Sequence, residues 1–313
     1  MTDEEKLIAG KHQMRYYSAC QYPMWRITMI KTIKQIIENA DCFYAKLKVD
    51  LKQDDDETGD KTVHTEIKNG LFFEALSQSM QAIEELFSMM KYARNVSTFV
   101  KSVVVYRAGD VTKYIGEFNT DDLEYMMEQM QLLYFPLDEP WENTEVFEEY
   151  KKSVLLIQDY LKKLISHHKK YNLHYNQYKH GQAVALRPFA KPPEDVPDNM
   201  LEAGLVAFDS FPFEKRNKFN STLPAMMIPD FHPAIAGHLR ELHDDGNLLQ
   251  ARLHVLHIDE LVEIAEMAYT LLNALWANLR TRCDIKDTDP HLELYFPTKD
   301  YRMFAVIGFP RSE

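Results

Sequence analysis

Glycine is scarce in this chain, ten among 313 residues, and none of the ten falls in a Gly-x-x-x-x-Gly-Lys or Gly-x-Gly-x-x-Gly run. The loops that most often cradle nucleotide phosphates are therefore missing, which sets aside P-loop kinases and Rossmann-type oxidoreductases. Neither Gly-x-Ser-x-Gly nor His-Glu-x-x-His occurs, so the hydrolase elbow and the zincin helix are missing too. No Glu stands three residues before a His, and with that the carboxylate-bridged di-iron pattern is absent. The three cysteines, Cys20, Cys42 and Cys283, lie far apart and form no Cys-x-x-Cys pair. Reduced, buried thiols are expected, not a disulfide framework or a zinc ribbon. No apolar run approaches the roughly 18 residues needed to cross a bilayer, and Met1 to Lys6 carries no apolar signal core. A soluble cytoplasmic protein without membrane contact is the expectation.

Acidic residues are plentiful overall but missing from one place. The formal net charge is −12, yet no Asp or Glu lies between Tyr160 and Pro193. That stretch carries Lys162, Lys163, Lys169, Lys170, Lys179, Arg187 and Lys191, which leaves 29 basic against 48 acidic residues for the remainder. An acidic chain does not coat nucleic acid along its whole surface, because phosphate binding rests on clustered Lys and Arg. Contact with an anion must be local, and this cationic, aromatic, histidine-bearing strip is the place for it.

What is present is helical periodicity. Apolar residues repeat at helical spacing from Met24 to Val49, from about Glu66 to Tyr92, and along Val100, Val104, Ala108, Val111, Ile115 and Phe118. Asn119 or Thr120 with Asp121, Asp122 and Glu124 makes a capped start for a helix reaching Tyr134, which the run Phe135 to Trp141 stops. Asn143 then caps a long helix with glutamates in its first turns and lysines and histidines in its last, as the helix dipole favours. Its seam, Val154, Ile157, Leu161, Leu164, His168, Tyr171, Tyr175 and Tyr178, alternates spacings of three and four and turns aromatic toward its end.

After Gly181 the texture changes. Ala183 to Phe189 and Leu205 to Phe211 read as short extended segments, Ile235 to His243 as a short helix and Ile258 to Leu279 as a long one. Leu292 to Phe296 and Tyr301 to Phe309, around the turn Pro297 to Asp300, read as a β-hairpin. The expected fold is mainly α, a multi-helix bundle with a small antiparallel β appendage and a C-terminal hairpin. Residues 1–184 would form the bundle, and 185–313 the strand and loop region, the helix packing on the bundle and the hairpin, all in one integrated domain.

Two metal-like patterns are weak. The loop Gln53 to Lys61 places Asp54, Asp56, Thr58 and Gly59 near calcium-loop offsets, but Thr65 stands where a bidentate Glu belongs. His232, His238, His243, His254 and His257 cluster in sequence, with His254 and His257 able to share a helical face; two such residues do not make the three or four ligands a metal needs. No metal and no cofactor is expected.

The long helix offers more. Asn172, Asn176 and His180, spaced by four, stack on one face, with Tyr175 and Lys179 beside them. Amide donors, a cation and an imidazole that titrates near neutrality suit a phosphodiester, and the tyrosines suit a base. The plainer account stays open: Gly181 as an ordinary residue after a helix end, Lys179 and His180 answering the dipole, and tyrosines in a core seam.

The run Tyr175-Asn-Gln-Tyr-Lys-His-Gly181 closing a long helix resembles the Asn-x-x-Lys-His-Gly signatures of HEPN-like helical proteins. The resemblance implies a dimeric, metal-independent ribonuclease or its inactive relative, of the kind found in toxin and defence systems. The family's active pattern is Arg, often followed by Asn, then His after four to six intervening residues. Asn176 and His180 match the Asn and the His, while Tyr175 occupies the Arg position and Lys179 is the nearest cation. A literal Arg-x4-His occurs at Arg252 to His257, just before the last long helix.

Two functions are therefore expected of this chain. In the first, a homodimer engages RNA or a nucleotide, with His180 as general base, Lys179 steadying phosphate and Asn176 orienting the group; Arg252 and His257 are the alternative pair. Asn172, Tyr175, Lys169, Lys170, Tyr171 and Tyr178 would complete the binding surface. In the second, the chain is a non-catalytic scaffold whose tyrosine seam packs a partner helix.

Overall fold

Apolar residues at helical spacing become helices over most of the chain, as seen in a computed structural model that describes residues 2–19, 24–46, 63–180, 201–212, 247–282, 292–294 and 305–307. The helices are α1 (Asp3–Ala19), α2 (Met24–Glu38), α3 (Ala40–Lys46), α4 (Val63–Tyr92), α5 (Phe99–Val104), α6 (Ala108–Glu117), α7 (Leu123–Gln129), α8 (Thr144–Lys179) and α9 (Ile258–Arg282). The strands β1 (Glu202–Pro212) and β2 (Asn247–His257) pair antiparallel, as do β3 (Leu292–Leu294) and β4 (Ala305–Ile307). The fold is mainly α with a small β addition, and the C-terminal strands pair as a hairpin should. No helix among the described residues is long and apolar enough to cross a membrane.

The chain divides into two compact units. The first comprises Met1–Thr28, Gln78–Lys169 and Val262–Glu313; the second comprises Met29–Ser77 and Lys170–Leu261.

In the first unit, the start of α1 is fixed by a reciprocal cap: Glu5 N donates to Thr2 Oγ1 at 3.2 Å and Thr2 N donates to Glu5 Oε2 at 2.6 Å. Asp122 caps α7 by accepting from Tyr125 N. The end of α7 falls earlier than Tyr134, because Gln131 takes the left-handed conformation at φ 58° and the N–H groups of Gln131 and Leu132 return to Glu128 O and Met127 O. Asn278 on α9 donates to the Met130 carbonyl left at that end, at 3.2 Å. The connection that follows is pinned by Tyr150 on α8, whose hydroxyl accepts from Phe135 N at 2.7 Å and donates to Phe135 O at 3.2 Å. Phe135, Trp141 and Tyr150 pack ring on ring around that bond pair.

Three expectations change. The apolar stripe from Val100 to Phe118 is two helices and not one: the β-branched run Val103-Val104-Val105 is a poor helix former, and Arg107 turns extended to start α6. The segment from Met24 breaks at Asn39, whose side chain bonds the Gln35 carbonyl at 2.9 Å and competes with the backbone ladder. Cys42, on the short α3, is exposed and not buried. Several readings lie outside the described residues: the loop 53–61, the segments 183–189 and 235–243, the turn 297–300, Cys20, Cys283, Gly181, Arg187, Lys191, and His232, His238 and His243.

The seam of α8 is core along most of its length. Val154, Ile157, Leu161 and Leu164 are buried, and so is His168 at 2 % exposure. Burial, with lesser contributions from His167 and Lys169, holds the His168 imidazole down at about 4. Among the described residues its Nε2 has no hydrogen-bond partner. A pKa lowered on folding stabilises the fold above the ordinary imidazole range, and this stability is lost as pH falls toward the folded value.

Two measurements check this packing. Gly10 faces the backbone of Val96 and Ser97 so closely that an added Cβ would lie 2.5 Å from Val96 O and from Ser97 Cα, whereas one at Gly116 would meet nothing within 4 Å. Thermal unfolding of Gly10→Ala is expected to show a loss of roughly 1–3 kcal/mol from overpacking, and Gly116→Ala a gain of about 0.5–1 kcal/mol; equal effects would contradict the close approach. For His168→Phe, the stability difference from the parent should move in the variant's favour by roughly 3 kcal/mol as pH falls from about 6.5 to about 4. A difference that does not change with pH would contradict the buried neutral ring.

Candidate functional site

Asn143 opens α8 by accepting from Val146 N at 3.1 Å, as its side chain and position suggest. Over the last turns the helix has two sharply different sides. Tyr171, His174 and Tyr175 are buried. Tyr178, beside them, donates to Glu74 Oε2 at 3.0 Å and stacks on Phe73 with ring centroids 5.3 Å apart. Burial first and the Glu74 carboxylate second push its phenol up to about 12. The opposite side carries Asn172, Asn176, Lys179 and His180, of which the last three are exposed. Asn176 Nδ2 donates to Asn172 Oδ1 at 3.2 Å, one turn apart.

The residues proposed as a binding surface therefore separate. Tyr171 and Tyr175 belong to the inner side, where no base can reach their rings, and Tyr178 is tied to Glu74 and Phe73. The seam that a partner helix would use is filled by residues of this chain. Lys170 is exposed, with its ammonium 4.7 Å from the Tyr171 ring centroid, and Lys179 rests 5.4 Å from that of Tyr175. Lys169, also exposed, is the last residue of its segment of the first unit. His180 N still bonds Asn176 O at 3.1 Å, and among the described residues its imidazole has no partner.

Part of this arrangement needs no ligand to explain it. A cation in the last helical turn gains about 0.3–1 kcal/mol from the dipole, which accounts for Lys179 and His180. The dipole's reach ends within that turn, so it does not account for Asn172 and Asn176. Asparagine costs a helix up to about 0.7 kcal/mol relative to alanine, and the bond from Asn176 to Asn172 one turn back offsets part of this.

The alternative pair stands differently. Arg252 to His257 lies in β2, with Arg252 opposite Ala207 in the register, and not on a helix. His254 and His257 therefore cannot share a helical face; three residues apart on a strand, they fall on opposite sides. His257 Nδ1 accepts from Asp259 N at 3.2 Å at the start of α9, and Asp259 Oδ1 meets Lys34 Nζ at 2.6 Å. His257 thus serves as a helix-start acceptor. Among the described residues no three His, Cys, Asp or Glu side chains gather as a metal set.

His174 is the residue that motif reading passes over. Its Nε2 lies 3.2 Å from Leu205 O, and its ring 5.0 Å from that of His254. The signal for it was its place three residues after Tyr171, inside the seam. Compared with known proteins, the chain matches no family model, no curated protein and no solved structure.

Replacing Tyr178 by Phe keeps the ring stack on Phe73 and removes the bond to Glu74. Urea unfolding is expected to show a loss of about 1 kcal/mol. Unchanged stability would mean that this bond does not anchor the end of α8 in the second unit.

Proposed function

We propose that this chain is a HEPN-like, non-cleaving protein that engages RNA or a nucleotide through the outer side of α8, with Asn172, Asn176, Lys179 and His180 as the reading face. The observation that carries the proposal is the asparagine pair, half-buried Asn172 and exposed Asn176. Two amides one turn apart, linked by a 3.2 Å bond, offer directed donors beside Lys179 on a face of the helix that has no acidic residue of its own. Asn176 and His180 are the positions that match the Asn and His of the HEPN-like pattern.

Binding without cleavage follows from Tyr175. Where the family's pattern has an arginine to grip the scissile phosphate, this chain has a side chain buried to 1 % exposure. Lys179, whose ammonium lies 5.4 Å from the Tyr175 ring centroid, is a point charge and does not replace a bidentate fork. The reading carries with it a cytoplasmic homodimer, since HEPN-like proteins build one cleft from two protomers.

The test is binding of a fluorescent single-stranded RNA across a salt series. Affinity is expected to fall with salt, Lys179→Ala to reduce the slope of log affinity against log salt by about 0.7, and Asn176→Ala to weaken binding on the order of tenfold, about 1.4 kcal/mol. The RNA should stay intact throughout. Absence of binding at low salt, or binding indifferent to both substitutions, would overturn the proposal; cleavage lost in His180→Ala would replace it with a catalytic one.

A further inference from the structure

Two more stretches of this acidic chain hold no carboxylate: no Asp or Glu lies between Glu5 and Glu38, and none between Glu85 and Asp110. The first supplies most of α1 and α2, the second α5 and the start of α6. In the first unit they come together around Arg26, near the start of α2. Arg26 Nε donates to Glu85 Oε2 at 3.1 Å, and Nη1 donates to Gln81 Oε1 at 2.7 Å and to Gln78 Oε1 at 3.2 Å. Held by three side chains of α4, the guanidinium lies 4.6 Å from the centroid of the Trp25 ring. An indole that is 41 % exposed thus has a fixed support on one side. The charge of Arg26 is also felt at Tyr106, whose phenol is pushed up above all by burial.

The surface around Arg26 is apolar. Met24 and Trp25 open α2 exposed, and Val104 and Val105, each 64 % exposed, run straight into the exposed Tyr106. Three consecutive exposed apolar residues contribute little burial to the fold, and the β-branched pair weakens the helix that it ends. Such a run marks a surface that a partner covers. Lys101, one turn before Val104 and Val105, and Arg107, next to Tyr106, flank the run with exposed cations that have no partner among the described residues. Of the carboxylates felt at Tyr106, Glu84 is buried and Glu85 is bonded to Arg26.

Met, Trp, Tyr and Arg without Asp or Glu is the composition of a protein interface, not of ordinary surface. A nucleic acid fits less well. Arg26 is already balanced by Glu85, and the most exposed side chains of the face are aliphatic, which offer a base no ring to stack on. The cations at the rim fix the sign of the partner.

We propose that Trp25, Val104, Val105 and Tyr106 form a docking surface for an acidic protein segment, one that carries apolar side chains between its carboxylates. The apolar side chains cover the indole and the valines, and the carboxylates meet Lys101 and Arg107. Because Trp25 is supported before the partner arrives, little ordering is left to offset on binding. The surface belongs to the first unit and does not depend on what the outer side of α8 binds.

Random-peptide display against the full chain, followed by titration of the recovered peptides, tests this. The peptides are expected to combine Asp or Glu with Leu, Phe or Trp, and to shift the emission of Trp25 to the blue, read as the difference between the parent and Trp25→Phe. Trp25→Ala should weaken them on the order of tenfold or more. Val105→Ser, which leaves the indole and its support in place, should weaken the same peptides, and Arg107→Gln should flatten their dependence on salt. No recovered peptide, peptides without acidic residues, or peptides held equally by the parent and by both Trp25→Ala and Val105→Ser would overturn the proposal. So would Trp25 emission that shifts with single-stranded RNA or with protein concentration alone, since the face would then belong to a nucleic acid or to a second copy of the chain.

Discussion

A helix can bury only part of its circumference, and α8 buries one row from Val154 to Tyr175. That constraint decides what the rest of the helix can do. Once Tyr171, His174 and Tyr175 are committed inward, Asn176 and His180 look outward, and of the motif's aromatic residues Tyr175 is buried and Tyr178 is tied to Glu74. The chemistry that the outer side of α8 presents among the described residues is amide, ammonium and imidazole. In the proposed function, such a face would meet an anion by hydrogen bonds and charge, not by stacking.

The inner side is polar as well as aromatic. His168 is held neutral by burial, and His174 is committed to a backbone carbonyl. Histidine serves in both places as a core residue that packs as a ring and carries a latent charge. At His168 the cost of that charge is met only as the solution is acidified. The outer His180 has no such commitment among the described residues.

Much of the helical architecture was legible because it is local. The cap at Asn143, the seam of α8 and the extents of α4 and α9 follow from spacing alone, since burial of one face is what the period encodes. The breaks at Asn39 and at Val105 to Arg107 were not legible from apolar spacing, which continues across both. Helix α1 lacks an apolar stripe, and its helix character lies in the reciprocal cap of Thr2 and Glu5 and in the backbone contact at Gly10. The Thr-x-x-Glu pattern was the signal that could have found it. The ring cluster of Tyr171, His174 and His254 depends on residues some eighty positions apart, and strand pairing of that range has no local signature. Candidate site residues were legible as a face of a helix, but their division into inner and outer members required knowing which side the seam would bury.

The most direct test of the central claim is the side-chain amide spectrum of Asn172 and Asn176 during titration with a short single-stranded RNA. The account predicts that these two NH2 pairs and the His180 ring signals shift together and saturate, while the Tyr171 and Tyr175 ring signals stay in place. Asparagine signals that do not move while the buried tyrosine rings do would contradict it, because the ligand would then be reaching the side of α8 that the fold closes.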